Sequence, residues 1–297
     1  MTAPSHSIVF SGLSALVILL LDQVGVSTFT QLVVLSAAVA LAGLPHGALD
    51  PLLAEHITGE NDHMERVRFY LGYLFKAGVT FVFWFWQPEI ALLLFLAISA
   101  WHFADDWRDL LPRRYQLGVG ISMIVLPVFF RSSEVVLLFS FLGADWSPVL
   151  VSSVTLVPGA LSCVIMCLAI LYAIKKRSWV SLELLSLSAL AVLTPPLIFF
   201  SVYFCLLHSP RHILKVVDVL KLSTLKVFIY GIIFTTLGAL IAVSTVSSQI
   251  ELNSNSGLAH AVFVGLFCLT VPHMFVVNKF RKKASDRVPH GDSQATA

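Results

Sequence analysis

"FTQLVVLSAAVALAGLPHGALD", residues 29–50, carries no charge until its last position and meets a proline–histidine pair shortly before it. A helix needs about 20 apolar residues to cross the hydrocarbon core of a bilayer, and this run is long enough. Other uncharged stretches cover 1–21, 90–104, 115–130, 146–174, 184–210, 227–250 and 252–278. Lipid offers no water to backbone amides, so such runs are either helices or strands of a closed barrel. Barrel strands would show alternating segments of about ten residues, and no such alternation is present. The fold class is therefore all-α, a polytopic transmembrane bundle of roughly eight to ten helices. Spans are expected near 8–27, 29–49, 67–87, 90–106, 115–131, 148–174, 180–208, 227–249 and 257–279.

Composition agrees: 57% of residues are apolar, 12% are charged, and mean hydropathy is +0.87. That excludes an ordinary soluble domain. A net charge of +2 gives no reason to expect nucleic acid. The first apolar run has no Lys or Arg before it and no small-residue cleavage site after it, so a retained span is expected rather than a signal peptide. Cys163, Cys167, Cys205 and Cys268 lie in apolar stretches and read as packed thiols. Residues 133–145 are short for a span and suit a re-entrant or interfacial piece; 180–208 is too long for one and should kink or split at Thr194-Pro195-Pro196. Residues 1–280 read as one transmembrane domain, and 281–297 as a polar tail expected to be disordered.

Basic clusters set the orientation. Arg108, Arg113 and Arg114; Lys175, Lys176 and Arg177; Lys215, Lys221 and Lys226; and Arg281, Lys282 and Lys283 are all expected on the cytoplasmic side. That arrangement requires 180–208 to bend back as a hairpin, or one cluster to break the rule. On this map His46, His102, His208 and His212 fall toward the same membrane face.

Ionisable groups at membrane depth are costly and mark functional sites by default. Of ten histidines, His6 and His290 read as tail residues, and His56 and His63 as part of an acidic loop. The motifs "HGALD" and "HFADD" repeat an H-x-A-x-D pattern, setting Asp50 one helical turn from His46 and Asp106 one turn from His102. A carboxylate there can fix an imidazole tautomer and turn the other ring nitrogen toward a metal. In "LLHSPRHILKV" the rings of His208 and His212 stay close, whether Pro210 starts a new helix capped by Ser209 or kinks a continuous one. Imidazoles without cysteines disfavour a structural zinc site, but spacing leaves iron and zinc both open. His273, near the same face, is a further candidate for contact with metal or substrate; His260 lies at the opposite end of its segment.

The ordered blocks "LPHGALD", "WHFADD", "HSPRH" and "VPHMFVVN" resemble the Brp/Blh family of membrane-bound β-carotene 15,15'-dioxygenases over residues 43–278. That resemblance implies a non-haem Fe(II) site, with ligands matching His46, His102, His208 and His212, and the spacing above sets Asp50 and Asp106 as the carboxylates behind them. It further implies cleavage of the central double bond of β-carotene by O2 to two retinals, a multi-pass place in the inner (cytoplasmic) membrane, and a retinal-binding rhodopsin as product acceptor. Among the 22 phenylalanines and 6 tryptophans, the run "FVFWFWQP" at 81–88 and the pair Tyr203-Phe204 are candidates for a substrate channel. Two other classes compete: a histidine-bearing membrane transporter, and a non-catalytic opsin-assembly factor. A di-iron desaturase would need tight boxes with adjacent histidines, and none occur.

Overall fold

The computed structural model describes residues 4–23, 25–58, 63–223, 225–233, 236 and 254–286, and the side chain of His46 is not among the described atoms. Every regular element in them is helical. In chain order these are α1 Pro4–Gln23, α2 Thr28–Ala38, α3 Leu44–Gly47, α4 Asp50–Thr58, α5 His63–Trp86, α6 Pro88–Ala104, α7 Arg113–Phe130, α8 Ser132–Phe141, α9 Ser147–Thr155, α10 Val157–Lys175, α11 Val180–Leu193, α12 Pro196–Tyr203, α13 Ser209–Leu220 and α14 Asn255–Asp286. Residues 225–233 are also helical.

Six helices among the described residues are long and apolar enough to cross a membrane, or seven if the bent pair α7–α8 counts as one span. Leu19, Leu74, Phe75, Leu171 and Ile174 on α1, α5 and α10 point outward, more than half exposed. Apolar faces of this kind belong against lipid. The expected span at 227–249 lies largely outside the described residues, as does the tail beyond Asp286. Residues 281–286 continue α14 as helix, where a disordered tail was expected to begin. His6, expected in a terminal tail, belongs to α1.

Prolines decide where the runs break. Between α7, which contains Pro127, and α8 the chain bends by 104°, so 133–145 turns away rather than extending a span. Thr194 is extended ahead of Pro195, as the residue before a proline prefers, and 180–208 splits there into α11 and α12. The expected span at 29–49 is interrupted by a π-helical turn, Val39–Gly43, immediately before α3. A second π-helical turn, Phe204–His208, joins α12 to α13. In each turn the following amide reaches back five residues, Leu44 N–H to Val39 O and Ser209 N–H to Phe204 O. Pro45 and Pro210 lie just beyond these turns, and a proline removes one helical bond and crowds the preceding turn. The wider π turn relieves that crowding.

The two π turns pack on each other. Ser209 Oγ donates to Ala42 O across the contact. A Cβ at Gly43 would come within 2.7 Å of the Phe204 ring, so only glycine allows this approach. The sequence around His46 is thereby fastened to the sequence around His208.

Candidate functional site

Four helical segments bring rings together. His102 comes from the last turn of α6, His208 closes the second π turn, His212 follows one turn into α13, and His273 follows Pro272 in α14. Ring centres of His102 and His208 are 4.7 Å apart, those of His102 and His273 5.2 Å, and those of His212 and His273 5.0 Å. The centres of His102 and His212 are 6.5 Å apart. His102, His208 and His273 are buried. His46 sits in α3 beside this group, because α3 packs on α13 and α14.

Carboxylates stand behind the rings, and Asp106 is not paired as expected; the expected pairing of Asp50 with His46 falls on a side chain outside the described atoms. Asp106 faces His208, with Oδ2 3.0 Å and Oδ1 3.1 Å from Nδ1. It does not serve His102. After His102 the chain tightens into a 3-10 turn, Asp105–Trp107, whose three-residue period brings Asp105 under the ring instead, 3.8 Å from its Nδ1. Asp50 likewise does not continue the helix of His46. A break at 48–49 starts α4 afresh, and Asp50 Oδ1 lies 2.8 Å from Nδ1 of His273. An ionised carboxylate only accepts, so the hydrogen of each contact belongs to Nδ1 of His208 and of His273, and Nε2 is the ring nitrogen on the side away from the carboxylate.

Hydroxyls complete each pair. Tyr203 donates to Asp106 Oδ2 at 2.7 Å, and Tyr73 donates to Asp50 Oδ2 at 3.0 Å. Tyr203 is thus a partner of the carboxylate behind His208. Phe204 stacks on His208 with ring centres 5.3 Å apart and planes 18° from parallel, and Phe103 meets the same ring at 5.1 Å. In the aromatic run 81–88, Phe85 and Trp86 point outward, while buried Trp84 packs on Phe267.

Behind Asp106 lies a buried ion pair. Arg211 donates to the fully buried Glu183, which also accepts from Ser7 Oγ at 2.7 Å. The same guanidinium lies 4.9 Å over the Trp107 ring and donates to Asp106 O at 3.5 Å. Glu183 and Arg211 therefore tie α1 and α11 to the turn that carries Asp106. Sequence reasoning passed over both residues; the signal available was an acidic residue inside an otherwise apolar span. For His273 the signal was its Pro–His pair, matching the one at Pro45-His46.

A cavity of about 570 Å³ reaches His102, His208 and His212 and opens among Asp105, Arg108, Asp109, Arg211, Lys215 and Arg281; His6 also lines it. Three of the four basic clusters are thus represented around one mouth. Arg281 closes part of it by pairing with Asp105, and Lys215 Nζ lies 3.1 Å from Asp109.

Residues 37–281 match the family of β-carotene 15,15'-dioxygenases. The chain belongs to that family. It is also 31% identical over 270 residues, 85% of its length and 94% of the relative's, to the β-carotene 15,15'-dioxygenase of uncultured marine bacterium 66A03. No solved structure matches. In this β-carotene 15,15'-dioxygenase family member the fit to a metal rests on the donor set. With a metal–nitrogen bond of about 2.1 Å and about 1.1 Å from nitrogen to ring centre, ring centres of ligands at right angles would be about 4.5 Å apart and opposed ones about 6.4 Å. The spacings of 4.7, 5.0 and 5.2 Å fall in that range, and the His102–His212 spacing of 6.5 Å lies just beyond its opposed limit. Among the described residues, which leave out the His46 side chain, no group of three or more His, Cys, Asp or Glu side chains is placed to hold a metal ion as it stands.

Proposed function

We propose that this chain cleaves the central 15,15' double bond of β-carotene with O2, giving two molecules of retinal, at an Fe(II) centre held by His46, His102, His208 and His212. What supports the reading is the cluster of imidazoles at the ends of apolar helices, in a chain of the β-carotene 15,15'-dioxygenase family. The relative from the marine bacterium carries the same activity in its name. Iron bound by imidazoles supplies the redox chemistry for adding oxygen across a carbon–carbon double bond.

The chain's own residues place and shield. Asp106, held by Tyr203, keeps His208 in the tautomer that offers Nε2 as a donor. Phe204 and Phe103 fix the plane of that ring and keep water from its faces. One carbon–carbon double bond breaks and two carbon–oxygen double bonds form, with one oxygen atom in each aldehyde. No proton is gained or lost, so the site needs no general acid or base.

The polyene enters from lipid, where it dissolves, since a hydrocarbon gains nothing from a mouth lined by carboxylates and guanidiniums. The charged cavity serves ion and oxygen. The membrane is the inner (cytoplasmic) one, the basic clusters face the cytoplasm, and a retinal-binding rhodopsin takes up the product.

Expression in cells that accumulate β-carotene tests this directly. Yellow colour should fade as retinal appears by chromatography, and His102→Ala or His208→Ala should abolish both changes. Pigment left intact by the wild-type chain would sink the proposal, and retinal formed only with a co-expressed opsin would favour an assembly role instead.

A further inference from the structure

The two carboxylate-backed rings are built alike. Tyr203, Asp106 and His208 form one hydroxyl–carboxylate–imidazole series, and Tyr73, Asp50 and His273 form another. The second draws on three separate elements, α5, the start of α4, and the middle of α14. All of its charge is buried: Asp50 is 1% exposed and His273 2%.

We infer that His273 is a further ligand of the ion proposed above, positioned by Asp50 and Tyr73 as His208 is positioned by Asp106 and Tyr203. The inference rests on the iron-centre reading and adds a residue to it. Its support is geometric. The His273 ring centre lies 5.2 Å from that of His102 and 5.0 Å from that of His212, each near the separation of neighbouring ligands on one ion. The bond from Nδ1 to Asp50 leaves Nε2 as the donor atom, as in His208. A histidine that merely pinned α14 to α4 would need the Asp50 contact alone. It would not need to stand between two other imidazoles, nor to have its carboxylate held by a second hydroxyl.

Iron retention decides the matter without any turnover. Full-length wild-type, His273→Ala, Asp50→Asn and Tyr73→Phe proteins are purified in detergent and loaded with Fe(II) under anaerobic conditions. Each is then titrated with a colorimetric chelator, whose uptake reports apparent affinity. Loss of a carboxylate behind a ligating histidine weakens metal binding roughly 10–100-fold, which is the effect expected for Asp50→Asn. His273→Ala should lose at least as much, Tyr73→Phe less, and free imidazole should restore retention in His273→Ala alone. Wild-type affinity in His273→Ala and Asp50→Asn would overturn the inference while leaving the four-histidine centre standing. Loss without imidazole rescue would make His273 a structural pin and overturn it as well. A wild-type chain that holds no iron would overturn both readings. If His273→Ala does not accumulate, unchanged affinity in Asp50→Asn is sufficient to reject the inference.

Discussion

Replacing Gly120 by alanine should damage the site from one helix away. Gly120 lies on α7 where it crosses α6, and a Cβ there would stand 2.5 Å from Ala100 O, 2.6 Å from Ala104 N and 2.8 Å from Ala104 Cα. All three are backbone atoms, and they flank His102 on both sides in sequence. An ordinary carbon–oxygen contact is about 3.3 Å, so the helices must separate by about 0.8 Å at the turn that carries His102. Overpacking of this kind costs about 1–3 kcal/mol, and backbone against backbone on two peptide units belongs at the upper end. Alanine's better helix propensity returns about 1 kcal/mol, leaving a net loss near 2 kcal/mol. Gly118 on the same helix is the control. Its added Cβ would meet the Ile165 Cγ2 methyl at 2.9 Å, a side-chain atom rather than backbone, although a β-branched χ1 in a helix yields only in part. Unfolding in detergent should therefore show Gly118→Ala less destabilised than Gly120→Ala. On the proposed function, β-carotene cleavage should fall by as much as 100-fold in Gly120→Ala, because a displacement of about 1 Å at a reacting site costs activity on that scale. Equal stability and activity in the two variants would refute the tight crossing and the placement of His102 that depends on it.

Glu183→Ala should destabilise the fold by about 3–5 kcal/mol, since it leaves Arg211 buried without its carboxylate. Glu183→Gln, which still accepts from Ser7, should lose less; identical unfolding curves for both variants would count against a buried charge pair. Tyr203→Phe fills the same space but removes the 2.7 Å hydrogen bond to Asp106, so about 1.5–3 kcal/mol of stability should go with it. Turnover should fall roughly ten-fold through the less firmly held His208, and an unchanged rate would argue that the hydroxyl does not act through that ring.

Sequence alone settled what solvent each part of the chain requires. Long uncharged runs have no way to satisfy their backbone in lipid except as helices, so the all-α bundle follows from composition and spacing. The cost of imidazole at membrane depth pointed to six histidines, and the expected membrane face with the family resemblance narrowed them to His46, His102, His208 and His212, with His273 as a weaker candidate. Pairing was another matter. A one-turn rule joined Asp50 to His46 and Asp106 to His102, and it presumed unbroken helices. The 3-10 turn after His102 carries Asp106 to a ring between α12 and α13, and beyond the break at 48–49 Asp50 meets a ring of α14. Glu183 and Arg211 stand 28 residues apart and find each other only when α11 meets α13. Local periodicity reports which face of a helix is polar, whereas the partner of a buried charge is chosen by whichever helix packs against that face. Only the tertiary structure decides that choice.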